Sequence, residues 1–350
     1  MLFPLMLLVS CLPASAFKVM TFNLWNSGKN VKDGLRQIAN HIRIVDPDIV
    51  ALQEVDDVHV VPNITKLLGN RWQSSHRCPY GKKNPDMGII SKHKILPGSY
   101  ADLPRGFSVT IELETGLQVA FWSLHLNHHN YGPYAVIEGK GTTRAIMKNM
   151  MKREHPGRTQ NIVDLLSSPA FQSQIANSRR SPVIVAGDFN CPSHLDWTKH
   201  NAREHGGVSF LWPVTRLLSA VGGMTDSFRE VHPDPVAHPG RTWSTIQKHN
   251  KHNKTLAEPQ DRIDFIFYRG AIRPISSTTY AGNASIHPIP HHSKNGYPSD
   301  HYAVVTTFEE SPIPVKSTKL IPLHPIFMKK KSVRKQREIC QHTIFHGGNR

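Results

Sequence analysis

From Phe17 to about Glu310, short apolar runs alternate with amphipathic stretches, and the runs repeatedly stop at a polar residue that a strand interior would exclude. Phe17 to Leu24 alternates well enough for a strand, and Val31, Leu35, Ile38, Ile42 and Val45 then recur at helical spacing until Asp46-Pro47 stops the helix. Ile49-Val50-Ala51-Leu52 predicts a second strand, ending at Gln53-Glu54, and Met87 to Ile90 a short third. Phe107 to Leu113 and Leu117 to Leu124, joined across Glu114-Thr115-Gly116, predict a hairpin. A long helix is expected from about Arg158 to Ala176, followed by a strand at Val183-Ile184-Val185-Ala186 and a helix near Leu211 to Ala220. Strands at Ile263 to Tyr268 and Tyr302 to Phe308 complete the set. Helices and strands alternate only in part, and the hairpin argues against a purely parallel sheet. The pattern predicts an α/β fold, a layered sandwich with mixed sheets. No internal repeat or interior linker divides Phe17–Glu310, so a single domain is expected there.

The two ends differ from this body. Met1 to Ala16 is apolar through Leu7-Leu8-Val9, too short to span a bilayer, and closes on the small residues Ala14-Ser15-Ala16, which predicts a cleaved signal peptide and a secreted protein. Asn63-Ile64-Thr65, Asn253-Lys254-Thr255 and Asn283-Ala284-Ser285 are glycosylation acceptor triplets consistent with export. Cys11 would leave with the signal, so Cys78, Cys191 and Cys340 allow at most one bridge, with Cys78–Cys191 the expected pair. At the other end, Ser311–Arg350 is Pro-spaced and holds the run Lys329-Lys330-Lys331-Ser332-Val333-Arg334-Lys335-Gln336-Arg337. A disordered basic arm that attracts polyanions is expected there. The formal net charge is +16 over 350 residues, which suits an anionic substrate without choosing one. A monomer without a membrane-spanning segment is expected.

Candidate chemistry sits at the strand ends. Asn23 closes the first strand and offers a carbonyl oxygen and an NH₂ group, and Glu54 stands at the C-terminal end of an apolar strand, a natural place for a Mg²⁺ ligand. His125 ends the second hairpin strand, with Asn127 and Tyr131 just beyond it as candidates for substrate contact. The other clusters supply Asp, Asn and Glu and no cysteine group, which disfavours zinc and leaves His125 as a phosphate-facing donor or proton carrier. Asp188 and Asn190 lie two apart after the Val183 run and would face one site if the segment is extended. Asp188 would orient or deprotonate water, and Asn190 would hold a non-bridging oxygen. Asp261 and Asp264 differ by three positions, so only one can serve the site; Asp300-His301 supplies a histidine able to stabilise a pentacovalent phosphate.

This series, namely Asn23, Gln53-Glu54, His125, Gly187-Asp188-Phe189-Asn190, Asp264 and Ser299-Asp300-His301, resembles the endonuclease/exonuclease/phosphatase (deoxyribonuclease-I-like) superfamily over most of Phe17 to Phe308. The resemblance implies a four-layer α/β sandwich, two mixed β-sheets packed together and flanked by helices, and a Mg²⁺-dependent phosphoesterase (Mn²⁺ or Ca²⁺ as alternatives). By the same carry-over Asn23 and Glu54 bind metal, Asp300 reaches a metal too, Asp188 activates water beside Asn190, and Asp264 orients His301. Export and positive charge make nucleic acid the leading substrate. A sphingomyelinase-type lipid phosphodiesterase, a small-molecule phosphatase and a non-catalytic polyanion binder are the alternatives.

Overall fold

The computed structural model describes residues 15–77, 84–139, 142, 144–146, 157–251 and 253–311. Thirteen strands and seven α-helices are set out among them. The first half holds β1 (Ala16–Asn23), α1 (Gly34–Val45), β2 (Ile49–Val55), α2 (Val60–Leu68), β3 (Gln73–His76), β4 (Asp86–Ser91), β5 (Lys94–Ile95), β6 (Ala101–Leu103), β7 (Gly106–Glu112) and β8 (Gln118–His125). Then come α3 (Gly132–Ile137), α4 (Arg158–Leu166), α5 (Pro169–Ala176), β9 (Val183–Asp188), α6 (Pro213–Ala220), β10 (Thr225–Asp226), α7 (Ser227–Val231), β11 (Asp264–Arg269), β12 (Ile272–Tyr280) and β13 (Ala303–Glu310).

The strands form two mixed sheets, ordered β12-β13-β1-β2-β4-β3 and β10-β11-β9-β8-β7-β5, with β6 paired to β7. Only β1–β2 and β8–β9 run parallel among the sheet pairs. Val19, Ile49, Ala51 and Ile89 of the first sheet meet Val109, Phe121, Ile184 and Ile266 of the second in a dry middle layer. Helices α1 and α2 cover the outer face of the first sheet through Ile38, Ile42, Val61 and Ile64. Helices α4 to α6 cover the second through Ile162, Leu165, Phe171 and Val214. The four-layer α/β sandwich is thus present, and it explains why β2 and β9 read as unbroken apolar runs: central strands are buried on both faces.

Several elements depart from expectation for local reasons. The helical stretch Arg158–Ala176 breaks at Ser168, which is extended (ψ 127°) because Pro169 follows it, so two helices form. Strand β12 was not predicted: its Pro274 and its run of Ser and Thr suit an exposed edge, where a missing N–H costs no ladder bond. Ala16 opens the first strand by pairing with Glu309, one residue before the expected boundary at Phe17, and the Ser15 hydroxyl donates to Glu310. The rest of the expected signal segment, Cys78, Cys340 and the tail beyond Ser311 lie outside the described residues. Cys191 is a buried free thiol, pushed up to about 12 chiefly by burial, and the expected bridge to Cys78 is not formed. No helix among the described residues is long and apolar enough to cross a membrane.

Candidate active site

Parallel pairing brings the C-terminal ends of β1 and β2, and of β8 and β9, to one edge of the sandwich. The antiparallel strands β4, β11 and β13 bring their N-terminal ends to the same edge. Asp188 therefore has Asp264 opposite it on one side and His125 opposite it on the other. Gly187 makes the close approach of β8 and β9 feasible, because a Cβ there would collide with the Leu124 backbone carbonyl.

Asp188 is the centre of the constellation and is buried. Its Oδ1 accepts the Asn190 N–H at 2.7 Å, and its Oδ2 accepts Asn23 Nδ2 at 3.0 Å and Asn190 Nδ2 at 3.2 Å. The Asp188–Asn190 segment is not extended as the sequence suggested: Asn190 has φ 50°, and the chain folds back so that both amide donors clasp the carboxylate. Asn190 Nδ2 also donates to Leu126 O at 3.1 Å, so Asn190 positions Asp188. Burial first, then the charge of Asp264, pushes Asp188 up to about 6 against the opposing pull of His301 and His125.

Two histidines flank this carboxylate, each with its Nε2 at 3.8 Å from Asp188 Oδ2. His301 Nδ1 lies 2.8 Å from Asp264 Oδ2, which decides between Asp264 and Asp261. Asp261 instead accepts Tyr131 Oη and Trp197 Nε1, each at 2.8 Å, inside the core. His125 Nδ1 lies 2.8 Å from Asp86 Oδ1, a partner the sequence reading missed. Asp86 follows Asn84-Pro85 at the very start of an apolar strand and has φ 65°. A carboxylate at a strand start after a turn was the available signal, though only the packing of β4 beside β8 gives it meaning. Burial pulls both histidines down, but neighbouring carboxylates outweigh it. Asp86, with Asp188 and Glu54 behind it, takes His125 to about 9, and Asp264, Asp188 and Asp300 hold His301 well above the ordinary value.

Glu54 sits at a bulge between Gln53 and Val55 with φ 58°. Its Oε1 accepts Asn23 Nδ2 at 3.2 Å and its Oε2 the Asn26 N–H at 2.7 Å. Asn23 thus ties Glu54 to Asp188, while its own Oδ1 accepts the Trp25 N–H. Ser299 Oγ donates to Asn23 O at 2.6 Å and accepts the His301 N–H, fastening Ser299-Asp300-His301 to β1. Asp300 Oδ1 is buried without a hydrogen-bond partner, and burial, opposed by His301 but aided by the charges of Glu54 and Asp188, pushes Asp300 up to about 7. Repelling carboxylates with an orphan oxygen fit a hard divalent cation, which would repay both costs. Asp188, Asp264 and His301 also lie close enough for a cation, with ligand atoms within 4.8 Å of one another. Asp264 Oδ2 is held by His301 Nδ1 at 2.8 Å, while Asp264 Oδ1, like Asp300 Oδ1, is buried without a hydrogen-bond partner.

Two of the expected substrate contacts are placed differently. Tyr131 is not brought to the cluster, because its hydroxyl is spent on Asp261. Asn127 Oδ1 accepts the His129 N–H at 2.8 Å and shapes the loop that follows His125. A cavity of about 410 Å³ is lined by Trp197, Arg241, Glu258 and Asp261 among others, and neither Asp188 nor His301 lines it.

The sequence profile described as the Endonuclease/Exonuclease/phosphatase family matches residues 20–301. The chain belongs to that family. Uncharacterized protein F14F9.5 of Caenorhabditis elegans is 42% identical over 296 residues, covering 84% of this chain and 92% of the relative. An inositol phosphosphingolipids phospholipase C of Schizosaccharomyces pombe is 23% identical, covering 88% and 72%. Among solved structures, the human Nocturnin catalytic domain superposes with a TM-score of 0.53 at 19% identity, covering 85% of this chain and 95% of that one. Truncated Caenorhabditis elegans TDP2 gives 0.53 at 20%, covering 84% and 98%. At those identities the structures establish the shared fold. Members of the endonuclease/exonuclease/phosphatase family are hydrolases of phosphate esters that use divalent metals.

Proposed function

We propose that this family member is a secreted, Mg²⁺-dependent phosphodiesterase that cleaves nucleic acid by direct attack of water on phosphorus. The observation that carries the reaction class is the pair of imidazole Nε2 atoms standing 3.8 Å from the same Asp188 oxygen. A carboxylate raised to about 6 is a competent base near neutral pH, and two protonated imidazoles beside it are donors to phosphate oxygens. Asp188 takes the proton from the attacking water, while His301 and His125 hold the charge that develops on the phosphoryl group. Asp264 and Asp86 fix the two rings, and Asn23 and Asn190 hold Asp188 in place. Glu54 and Asp300 are the residues that would hold the cation, with Mn²⁺ as an alternative. When bound, the ion neutralises phosphate charge and lowers the pKa of coordinated water.

The net charge of +16 supports a polyanionic substrate, with the basic tail adding attraction for it. A lipid phosphodiester is the second reading, favoured by the sphingolipid phospholipase that matches 88% of the chain. Export is supported by the apolar leader and by the exposure of Asn63, Asn253 and Asn283 in their acceptor triplets. The test is hydrolysis of supercoiled DNA, RNA and sphingolipid vesicles in parallel, with chelator and Asp188→Ala controls. Metal-dependent cleavage of nucleic acid lost in Asp188→Ala is the expected result, lipid turnover alone would move the substrate to the second reading, and silence on all three would sink the diesterase.

A further inference from the structure

We propose that Glu258 is a positioning residue of this active site, acting through the Trp243 indole on the ring of His301. It rests on the phosphodiesterase reading, in which His301 carries transition-state charge. Trp243 packs against His301 with ring centroids 4.9 Å apart at 63°. The backbone brings them together: Trp243 and His301 form an antiparallel bridge, Tyr302 N–H donates to Thr242 O, and Trp243 N–H donates to Asp261 O. Those bonds fix where the tryptophan stands and leave its side-chain torsions free.

Glu258 removes that freedom. Its Oε1 accepts Trp243 Nε1–H at 2.9 Å and Tyr134 Oη–H at 2.7 Å, and its Oε2 accepts Asn250 Nδ2–H at 3.3 Å. Glu258 is only 3% exposed, so holding a carboxylate here has a desolvation cost that a solvent-facing residue would not incur. Its hydrogen-bond partners lie outside the catalytic set, and the Trp243 indole carries the contact on to His301. The need is geometric. The single hydrogen bond from His301 Nδ1 to Asp264 acts as a pivot, about which the ring could rock and carry Nε2 away from Asp188. A locked indole against the ring blocks that motion, as catalytic geometry must hold to within about 0.5 Å.

The experiment combines turnover of bis(p-nitrophenyl) phosphate with Mn²⁺ and the NMR positions of the His301 ring protons, which lie in the ring current of Trp243. Glu258→Leu should lower kcat by about ten- to a hundredfold with KM changed by less than about threefold. Glu258→Gln, which keeps an acceptor oxygen, should recover most of that loss. In a Trp243→Phe background, Glu258→Leu should add less than about twofold, because its route to His301 is already cut. The His301 ring protons should shift in Glu258→Leu and stay near their wild-type positions in Glu258→Gln. Full additivity of the two substitutions, or unmoved His301 protons in Glu258→Leu, would overturn the proposal. If the wild-type protein hydrolysed no diester, the functional reading would fall, and the ring-proton shifts would still decide the link from Glu258 to His301.

Discussion

The two histidine–aspartate pairs beside Asp188 have the same bond lengths and different surroundings. Each joins one sheet to the other: His125 ends β8 and meets Asp86 of β4, whereas His301 precedes β13 and meets Asp264 of β11. Side-chain exposure separates them, with Asp264 at 1% and Asp86 at 24%. The His301 pair is sealed by Trp243, while Asp86 is shared with Arg105, whose guanidinium stands 3.5 Å away and is a third exposed. A dry pair facing Asp188 suits charge stabilisation, because the local dielectric is low and little reorganises. The wetter pair, beside the Arg105 guanidinium, suits binding and orienting the phosphate. Equal distances therefore do not make equal roles; desolvation sets the difference.

The comparison can be broken at its centre first. Asp188→Ala should remove the proposed general base, which both histidines face, and lower kcat by about four orders of magnitude or more at similar substrate binding, measured under single-turnover conditions. Next, Asp264→Asn should cost about a thousandfold or more in kcat, and Asp86→Asn only about ten- to a hundredfold with a rise in KM. Equal losses from the two would show that exposure does not distinguish the pairs.

Stability sharpens the same contrast. Arg262 is fully buried and bonds Asp196 and Asp226 at 2.7–3.0 Å just before Asp264, while Arg229 shares Asp196. Arg262→Met leaves two buried carboxylates short of a partner and should cost about 3–5 kcal/mol in denaturant unfolding. A smaller effect is expected from pH. His125 is raised from 6.5 to about 9, so its pairing contributes stability fully below pH 6.5, and the contribution is lost as pH rises to about 9. In chelator, the melting temperature of the wild type should fall over that range by more than that of Asp86→Asn, the difference corresponding to roughly 3 kcal/mol at most. Parallel curves for the two proteins would remove the ion pair from the account.

Much of this site was legible because strand-end residues announce themselves. Asn23, Glu54, His125, Asp188 and His301 each interrupt an apolar pattern, and a polar residue at the end of a buried strand needs a reason that burial alone does not supply. Asp86 was missed because its strand is short and its partner lies on the other sheet. Trp243 and Glu258 were missed because they sit in loops, where neither period nor run length marks a residue. Tyr131 shows the converse: proximity in sequence to His125 suggested substrate contact, and the fold spends its hydroxyl on Asp261.

Local pattern determined the strand and helix inventory in its main lines, the mixed sandwich, and the carboxylate, amide and imidazole chemistry at one edge, since these depend on burial periodicity and on which groups a core rejects. Tertiary structure alone decided the pairings: Asp264 over Asp261 for His301, Asp86 for His125, Asn190 folded back onto Asp188, and Glu258 behind Trp243. Each of those depends on register and on the stacking of two sheets, which bring together residues far apart in the chain, and no one-dimensional pattern carries that distance.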